Sequence, residues 1–292
     1  MEITASMVKE LRERSGAGMM ECKKALVESN GDMEAAAEWL RKSGIAKAVK
    51  KSARVAAEGA VIMKQAGSRA VMVEVNSETD FVAKDENFRR FAEAVGDTVL
   101  NARPANVEAL MSTTIAGGSE TVEVARTALV AKIGENVSVR RFVSVETAGG
   151  TLGSYMHGTR IGVLVDLKNG DDALAKDIAM HVAASRPMCI DDSGVPAELI
   201  AKEKEIFTAQ VLEEGKPANM VEKIVDGKIK KYLGEVTLLG QPFVKDDKTT
   251  VGKLLQSRGA SVTSFVRMEV GEGIEKKVED FAAEVMKQAQ GG

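Results

Sequence analysis

Two histidines, His157 and His181, and two cysteines, Cys22 and Cys189, are the chain's whole supply of imidazole and thiol. A zinc site needs three or four His, Cys or carboxylate ligands, and no closely spaced cluster of His and Cys occurs. The phosphate-cradling GxxxxGKS or GxxxxGKT loop, a GxGxxG between strand and helix, GxSxG and HExxH are all absent. A Cys–His nucleophile stays open on composition, because such partners meet in space. Cys22, however, falls on a helical apolar stripe with Met19 and Leu26, where a buried, inert thiol is expected. No catalytic residue, cofactor or metal is expected. The chain reads as a binding protein.

The residues best placed to bind lie in Asn76-Ser77-Glu78-Thr79-Asp80-Phe81-Val82-Ala83-Lys84-Asp85. Here a phenylalanine stands beside a carboxylate in a polar connection between a strand and a helix. An exposed aromatic on a rigid loop is a good anchor for a pocket on a partner. The alternative is that Phe81 staples the loop onto its own helix while Asp80 caps a turn. Met19 fits a buried stripe, whereas Met20 lies about 100° further round the helix and is a candidate flexible contact. His157, in Gly153-Ser154-Tyr155-Met156-His157-Gly158, is expected in a turn between strands, as a contact or a satisfied polar group. His181 lies inside a helical apolar pattern and reads as structural. Arg41, Lys42, Lys47, Lys50, Lys51 and Arg54 form a run without an acid, either a solvated linker helix or a phosphate-binding patch.

These residues need elements to hold them. Residues 1–54 read as three short helices: Thr4 is an N-cap with Ile3 and Val8 as its staple, and Gly16 is a stop. The second helix spans about Met19 to Ser29; Asp32 caps the third, which runs to Gly44. Residues 55–148 are mixed, with strands at 57–63, 70–76 and 137–145 and helices through Phe88–Val99 and 121–133. In the second strand Val71, Val73 and Val75 alternate with Met72, Glu74 and Asn76. Arg160-Ile161-Gly162-Val163-Leu164-Val165-Asp166 echoes Arg69-Ala70-Val71-Met72-Val73-Glu74, and a helix through Ile178 follows, so two related α+β halves are expected. The second half, 149–189 and 234–273, is completed by strands at 235–244 and 261–270. Between them, 190–233 reads as two amphipathic helices broken at Gly215-Lys216-Pro217, an antiparallel hairpin. Residues 274–292 carry Val278, Phe281, Ala282 and Val285 at helical spacing, a last amphipathic helix. The fold class is α+β.

Composition agrees with a binding role. The 292 residues suggest roughly two domains and can bury about 75% of the unfolded surface without staples. Forty Lys and Arg against 43 Asp and Glu leave a charge of −3, no general attraction for a phosphate backbone. With 44% hydrophobic and 28% charged residues the balance is that of a soluble globular protein. Two cysteines rule out a disulfide scaffold, and no signal peptide or bilayer-spanning run of about 20 apolar residues is evident. A cytoplasmic address is expected.

Three strings carry a family likeness: Thr79-Asp80-Phe81-Val82, Leu11-Arg12-Glu13-Arg14-Ser15-Gly16-Ala17-Gly18-Met19-Met20-Glu21-Cys22-Lys23-Lys24-Ala25-Leu26, and Ile178-Ala179-Met180-His181-Val182-Ala183-Ala184. Lys132-Ile133-Gly134-Glu135-Asn136, Gly240-Gln241-Pro242-Phe243-Val244 and Val270-Gly271-Glu272-Gly273-Ile274-Glu275-Lys276 extend it over essentially the full length. Together they resemble the bacterial elongation factor Ts family. The resemblance implies a UBA-like three-helix N-terminal domain, a two-part core with antiparallel sheets, an inserted helical hairpin (a coiled coil) and a C-terminal helix. It implies a guanine-nucleotide exchange factor whose partner is the GTPase elongation factor Tu, with no membrane or nucleic acid. Thr79, Asp80, Phe81 and Val82 would enter the partner near its magnesium and phosphate site. Met19, Met20, Lys23, Ile133, Gly134, His157 and Val244 would be further contacts. The hairpin would be the place for a homodimer or a 2:2 complex. Two rival readings are an RNA- or ribosome-binding factor using the 41–54 run and a ubiquitin-like-protein adaptor built on the N-terminal bundle.

Overall fold

A computed structural model describes residues 3–275. The expected final helix, 274–292, lies outside the described residues from residue 276 onward. Helices α1 (Ala5–Ser15), α2 (Met19–Glu28) and α3 (Met33–Lys51) form the expected three-helix bundle. Thr4 and Asp32 cap α1 and α3 through their side chains, and Gly16, at φ 67°, ends α1 with its N–H on Arg12 O. The bundle's small core is Val8, Leu11, Cys22, Ala25, Leu26 and Ala36. Cys22 is fully buried there, as its stripe predicts. One expectation is corrected: α3 does not stop at Gly44 but continues to Lys51. A Cβ at Gly44 would lie 3.3 Å from Ala131, so the glycine lets a neighbouring helix come close, and that packing outweighs its helix cost of about 1 kcal/mol.

Strands β1 (Glu58–Ala66) and β2 (Arg69–Ser77) are followed by α4 (Asp80–Lys84), α5 (Glu86–Ala102), α6 (Val107–Met111), α7 (Val122–Ile133) and β3 (Val137–Glu146). Then come β4 (Thr151–His157), β5 (Ile161–Lys168), α8 (Asp172–Ser185), α9 (Ala197–Glu213) and α10 (Ala218–Val236). Last are β6 (Pro242–Phe243), β7 (Asp246–Thr250), α11 (Val251–Ser257) and β8 (Ser261–Glu269). The sheets have the orders β1-β2-β3, β4-β5-β8 and β6-β7. The internal echo falls where repetition predicts: Arg69–Glu74 lies in β2 and Ile161–Asp166 in β5, each the middle strand of a three-stranded sheet. Among the described residues no helix is long and apolar enough to cross a membrane.

The chain divides into two compact units. One gathers the described residues up to Ala60, Val73–Arg141 and the described residues from Val270. In it α5 buries Phe88, Phe91, Ala92, Val95 and Val99, the stripe the sequence presents. β2, of which Val73–Ser77 belong to this unit, is buried along its whole length rather than on alternate residues, so its polar side chains must find partners inside. Glu74, fully buried, accepts from Arg140 Nη1 at 3.0 Å, Arg141 Nε at 2.6 Å, Asn76 Nδ2 at 3.0 Å and the Gly271 amide at 2.7 Å. That carboxylate ties β2, β3 and the segment after β8 together.

The other unit holds Val61–Met72 and Phe142–Glu269. β4 and β5 pair antiparallel with Gly153 opposite Val165, and β5 and β8 with Val165 opposite Phe265. α8 packs so tightly on β4 that a Cβ at Gly153 would meet the Ala175 carbonyl at 2.3 Å. Val163, Val165, Leu167, Ile178, Val182, Leu238 and Val251 fill the core. The inserted hairpin is antiparallel as expected, α9 against α10, with Val211 and Val225 buried between them. Of the strand expected over 235–244 only Pro242–Phe243, β6, forms. α10 runs on to Val236, and the Leu238 and Leu239 amides bond the carbonyls of Cys189 and Ile190, closing the base of the hairpin. The backbone groups a ladder would need are already engaged.

Replacing Glu74 by Ala should cost about 1–3 kcal/mol in denaturant unfolding, because the Asn76 amide and the Gly271 N–H lose their acceptor and two partly exposed guanidinium groups lose a counter-charge. Burial alone would raise the Glu74 pKa, but the bonds from Gly271, Asn76, Arg141 and Arg140 together lower it. Its stabilisation is therefore present above the ordinary carboxylate pKa and lost as pH falls through the lower folded value. As pH falls below the ordinary carboxylate range the parent should lose more stability than the variant. Parallel curves would reject the assignment.

Candidate partner-binding site

β2 ends at Ser77 and α4 begins at Asp80, so the exposed aromatic is carried on a single turn of helix. Thr79 is its N-cap: Oγ1 accepts the Val82 N–H at 3.3 Å. Asp80 does not cap the turn, which corrects that part of the sequence reading; the hydroxyl one residue earlier already reaches the free amide. Instead Asp80 accepts from Lys84 Nζ at 2.6 Å, and that bond holds its carboxyl below the usual range. Both groups are largely in water, so the pair contributes little to stability. Val82 turns inward and is buried, whereas Phe81 is 81% exposed. Val82, not Phe81, staples the turn.

The base of the turn is held by polar bonds. Glu135 Oε2 accepts the Thr79 N–H at 3.0 Å and Oε1 accepts the Thr79 hydroxyl at 2.8 Å. Ser77 Oγ donates to the Thr79 carbonyl at 2.9 Å. Glu78 accepts the Asn136 N–H at 2.6 Å and faces Arg54 at 3.4 Å. Glu78 and Glu135 were not marked as site residues by the sequence. The one local signal is a carboxylate directly after Gly134, and nothing in spacing reveals a partner 56 residues away.

Ile133 is the last residue of α7, and Gly134 ends it at φ 89° with its N–H on Val130 O. A side chain there would be strained in this left-handed conformation. The Gly134 carbonyl accepts from Lys51 Nζ. Met19, Met20 and Lys23 all lie exposed on the first turns of α2. Met19, expected on the buried stripe, is 59% exposed. It occupies the first helical position, and the bundle's apolar layer begins a turn later at Cys22. Glu21 on the same turn pairs with Lys47 of α3. The start of α2, the end of α7 and the Phe81 turn thus sit in one compact unit, linked through Glu21–Lys47, Lys51–Gly134 and Glu135–Thr79.

His157 and Val244 belong to the other unit. His157 is the last residue of β4, opposite Ile161, rather than part of a turn; its strand pairing extends one residue further than its glycine neighbour suggests. Its exposed ring lies 3.3 Å from the Tyr155 hydroxyl. Val244 is 47% exposed, and its N–H donates to His181 Nδ1 at 3.1 Å. His181 Nε2 then donates to Gln241 Oε1 at 2.9 Å, which assigns the neutral ring with its proton on Nε2. Burial lowers its pKa, and His181 is structural: it positions the 241–244 loop.

Of the basic run, Lys42 pairs with Glu38, Lys47 with Glu21 and Arg54 with Glu78, while Lys51 bonds Gly134 O. Four of six cations have partners within the protein, which disfavours a phosphate-binding patch. Among the described residues no group of three or more His, Cys, Asp or Glu is placed to hold a metal ion.

A family model described as Elongation factor TS matches residues 78–272. An elongation factor Ts of Thioalkalivibrio sulfidiphilus is 65% identical over 294 residues, covering 100% of both chains. Those of Methylococcus capsulatus and Xanthomonas oryzae are each 60% identical, over 292 and 291 residues and 99% of both chains. Likeness at this level over the full length makes the chain a translation elongation factor. It belongs to the elongation factor Ts family.

Since Phe81 touches little of its own chain, Phe81→Ala should leave thermal stability within about 0.5 kcal/mol of the parent. Phe88→Ala, emptying a fully buried site seven residues on, should cost about 3–5 kcal/mol. A large loss from Phe81→Ala in a thermal scan would mean that the ring has an intramolecular role.

Proposed function

We propose that this chain binds elongation factor Tu carrying GDP and promotes GDP release, inserting the Asp80–Phe81 turn near that GTPase's magnesium and phosphate site. One observation carries the reading: a phenylalanine 81% exposed on a turn whose base is pinned, in a chain of the elongation factor Ts family. The fold gives this ring nothing to pack on, and a partner pocket would. Met19, Met20 and Lys23 on α2 and Ile133 and Gly134 at the end of α7 are proposed contacts to the same GTPase. His157 and Val244 are proposed contacts from the other unit.

The mechanism follows from linkage. The GTPase holds GDP through a magnesium ion and through backbone amides around the phosphates. A factor that binds the nucleotide-free partner more tightly than the nucleotide-bound one weakens nucleotide binding by the same ratio. Phe81 acts as the wedge that displaces the metal's surroundings. Asp80, an exposed carboxylate kept ionised by Lys84, bonds partner donors and sets the register of entry. No covalent step is required of this chain.

Magnitudes say how many contacts must share the task. A 10³-fold coupling needs about 4 kcal/mol of differential contact. Burying one aromatic contributes about 1.5–3 kcal/mol. Phe81 falls short alone, so the flanking contacts must supply the remainder.

Phe81→Ala should slow stimulated GDP release by about ten- to a hundred-fold, read by stopped flow with fluorescent GDP on elongation factor Tu. Release at the parent rate would reject the wedge.

A further inference from the structure

We propose that Glu135 is a positioning residue for exchange, fixing the Phe81 turn in its entering shape before the partner arrives; the inference rests on the wedge reading above. α4 has five residues, too few to hold itself as a helix. Val82 is its one buried apolar side chain, since Phe81 points to water and Ala83 is small and half-buried. Its shape must therefore be set by polar bonds at its two ends.

The C-terminal end is continuous with a rigid element. The Asp85 N–H bonds Val82 O at 3.0 Å, and the Asp85 carboxylate caps α5 through the amides of Asn87 and Phe88. The N-terminal end depends on Thr79, and both protons that Thr79 can donate go to the Glu135 carboxylate. With its hydrogen drawn to Glu135, the Thr79 hydroxyl presents a lone pair to the Val82 N–H. One carboxylate thus secures the residue that caps the turn and also orients the cap.

Glu135 is itself fixed from both sides. Gly134 before it ends α7 and accepts from Lys51. Asn136 after it donates its N–H to Glu78 and its side-chain amide to Arg54 O at 2.8 Å. A clamp this well supported reduces the ordering that binding would otherwise require. Without it the turn would visit shapes that cannot enter, and the effective rate would fall with the competent fraction.

The test uses the full chain as Glu135→Ala, Glu135→Gln, Phe81→Ala and the double variant Glu135→Ala/Phe81→Ala, with elongation factor Tu bound to fluorescent GDP. Glu135→Ala should lower the release rate at saturating factor about tenfold, while the fold stays cooperative in a thermal scan. Glu135→Gln, which still accepts from the Thr79 N–H, should recover most of the rate. The double variant should be slower than Phe81→Ala by much less than the tenfold that Glu135→Ala costs alone, because Glu135 acts mainly through the ring its turn carries. In the free chain, amide hydrogen exchange at Val82 should quicken about tenfold in Glu135→Ala, a change in local opening of the turn. Additive slowing in the double variant, a parent rate in Glu135→Ala, or unchanged Val82 exchange would each overturn the inference. Parent release by Phe81→Ala together with quickened Val82 exchange would instead overturn the wedge reading, leaving the clamp as structure only.

Discussion

A phenylalanine held in water by its own fold is the constraint around which the site is arranged. Leaving such a ring exposed forgoes about 1.5–3 kcal/mol of burial, and it removes the usual means of fixing a loop, an apolar side chain locked in a core. The turn that carries Phe81 therefore has to be held by directional bonds from beneath. It also has to spring from elements that are themselves immobile: β2, buried along its length, on one side, and α5, with Phe88 and Val95 fully buried, on the other. The exposed residue and the deeply buried ones are parts of the same solution. Stability is gathered a few residues away so that the tip can be left unsatisfied.

Carboxylates do most of the fastening, and burial decides what each one does. Glu74 is removed from water entirely, so the cost of burying its charge has to be offset by its two arginines, an asparagine and an amide together. It is a fixture of the fold. Glu135 is only partly covered and takes two donors from one residue, Thr79. Its bonds are strong enough to select a conformation of the turn yet involve too little buried charge to hold the unit together. Asp80, in water beside Lys84, stabilises little and stays available to a partner.

The local rules of the sequence reached far. The caps Thr4 and Asp32, the Gly16 stop, the α5 stripe and the Gly215-Lys216-Pro217 break all act over one or two turns, and the elements they bound appear where expected. The errors share a different origin. Gly44 reads as a stop until Ala131 is brought against it from another helix. Residues 235–244 read as a strand until the base of the hairpin takes the Leu238 and Leu239 amides. Met19 reads as buried because a stripe in sequence does not say where the facing layer ends. Likewise Thr79, Asp80 and Phe81 were legible as a candidate site from their chemistry and family likeness. Glu78 and Glu135 were not, because what makes them part of it is a contact that only the folded chain creates.

A wedge works only if what it enters yields before the wedge does. In the exchange reading, about 4 kcal/mol of differential contact is needed for 10³-fold coupling, and the turn must not relax by a comparable amount under that load. Hydrogen bonds to charged groups contribute about 1.5–3 kcal/mol each. Two of them converge on Thr79, and the Ser77 hydroxyl adds a third, neutral bond. The holding energy at the base of the turn is thus of the same order as the work proposed for its tip. A turn kept in shape by Val82 burial alone would fall below that threshold, and the ring would fold back before the partner opened.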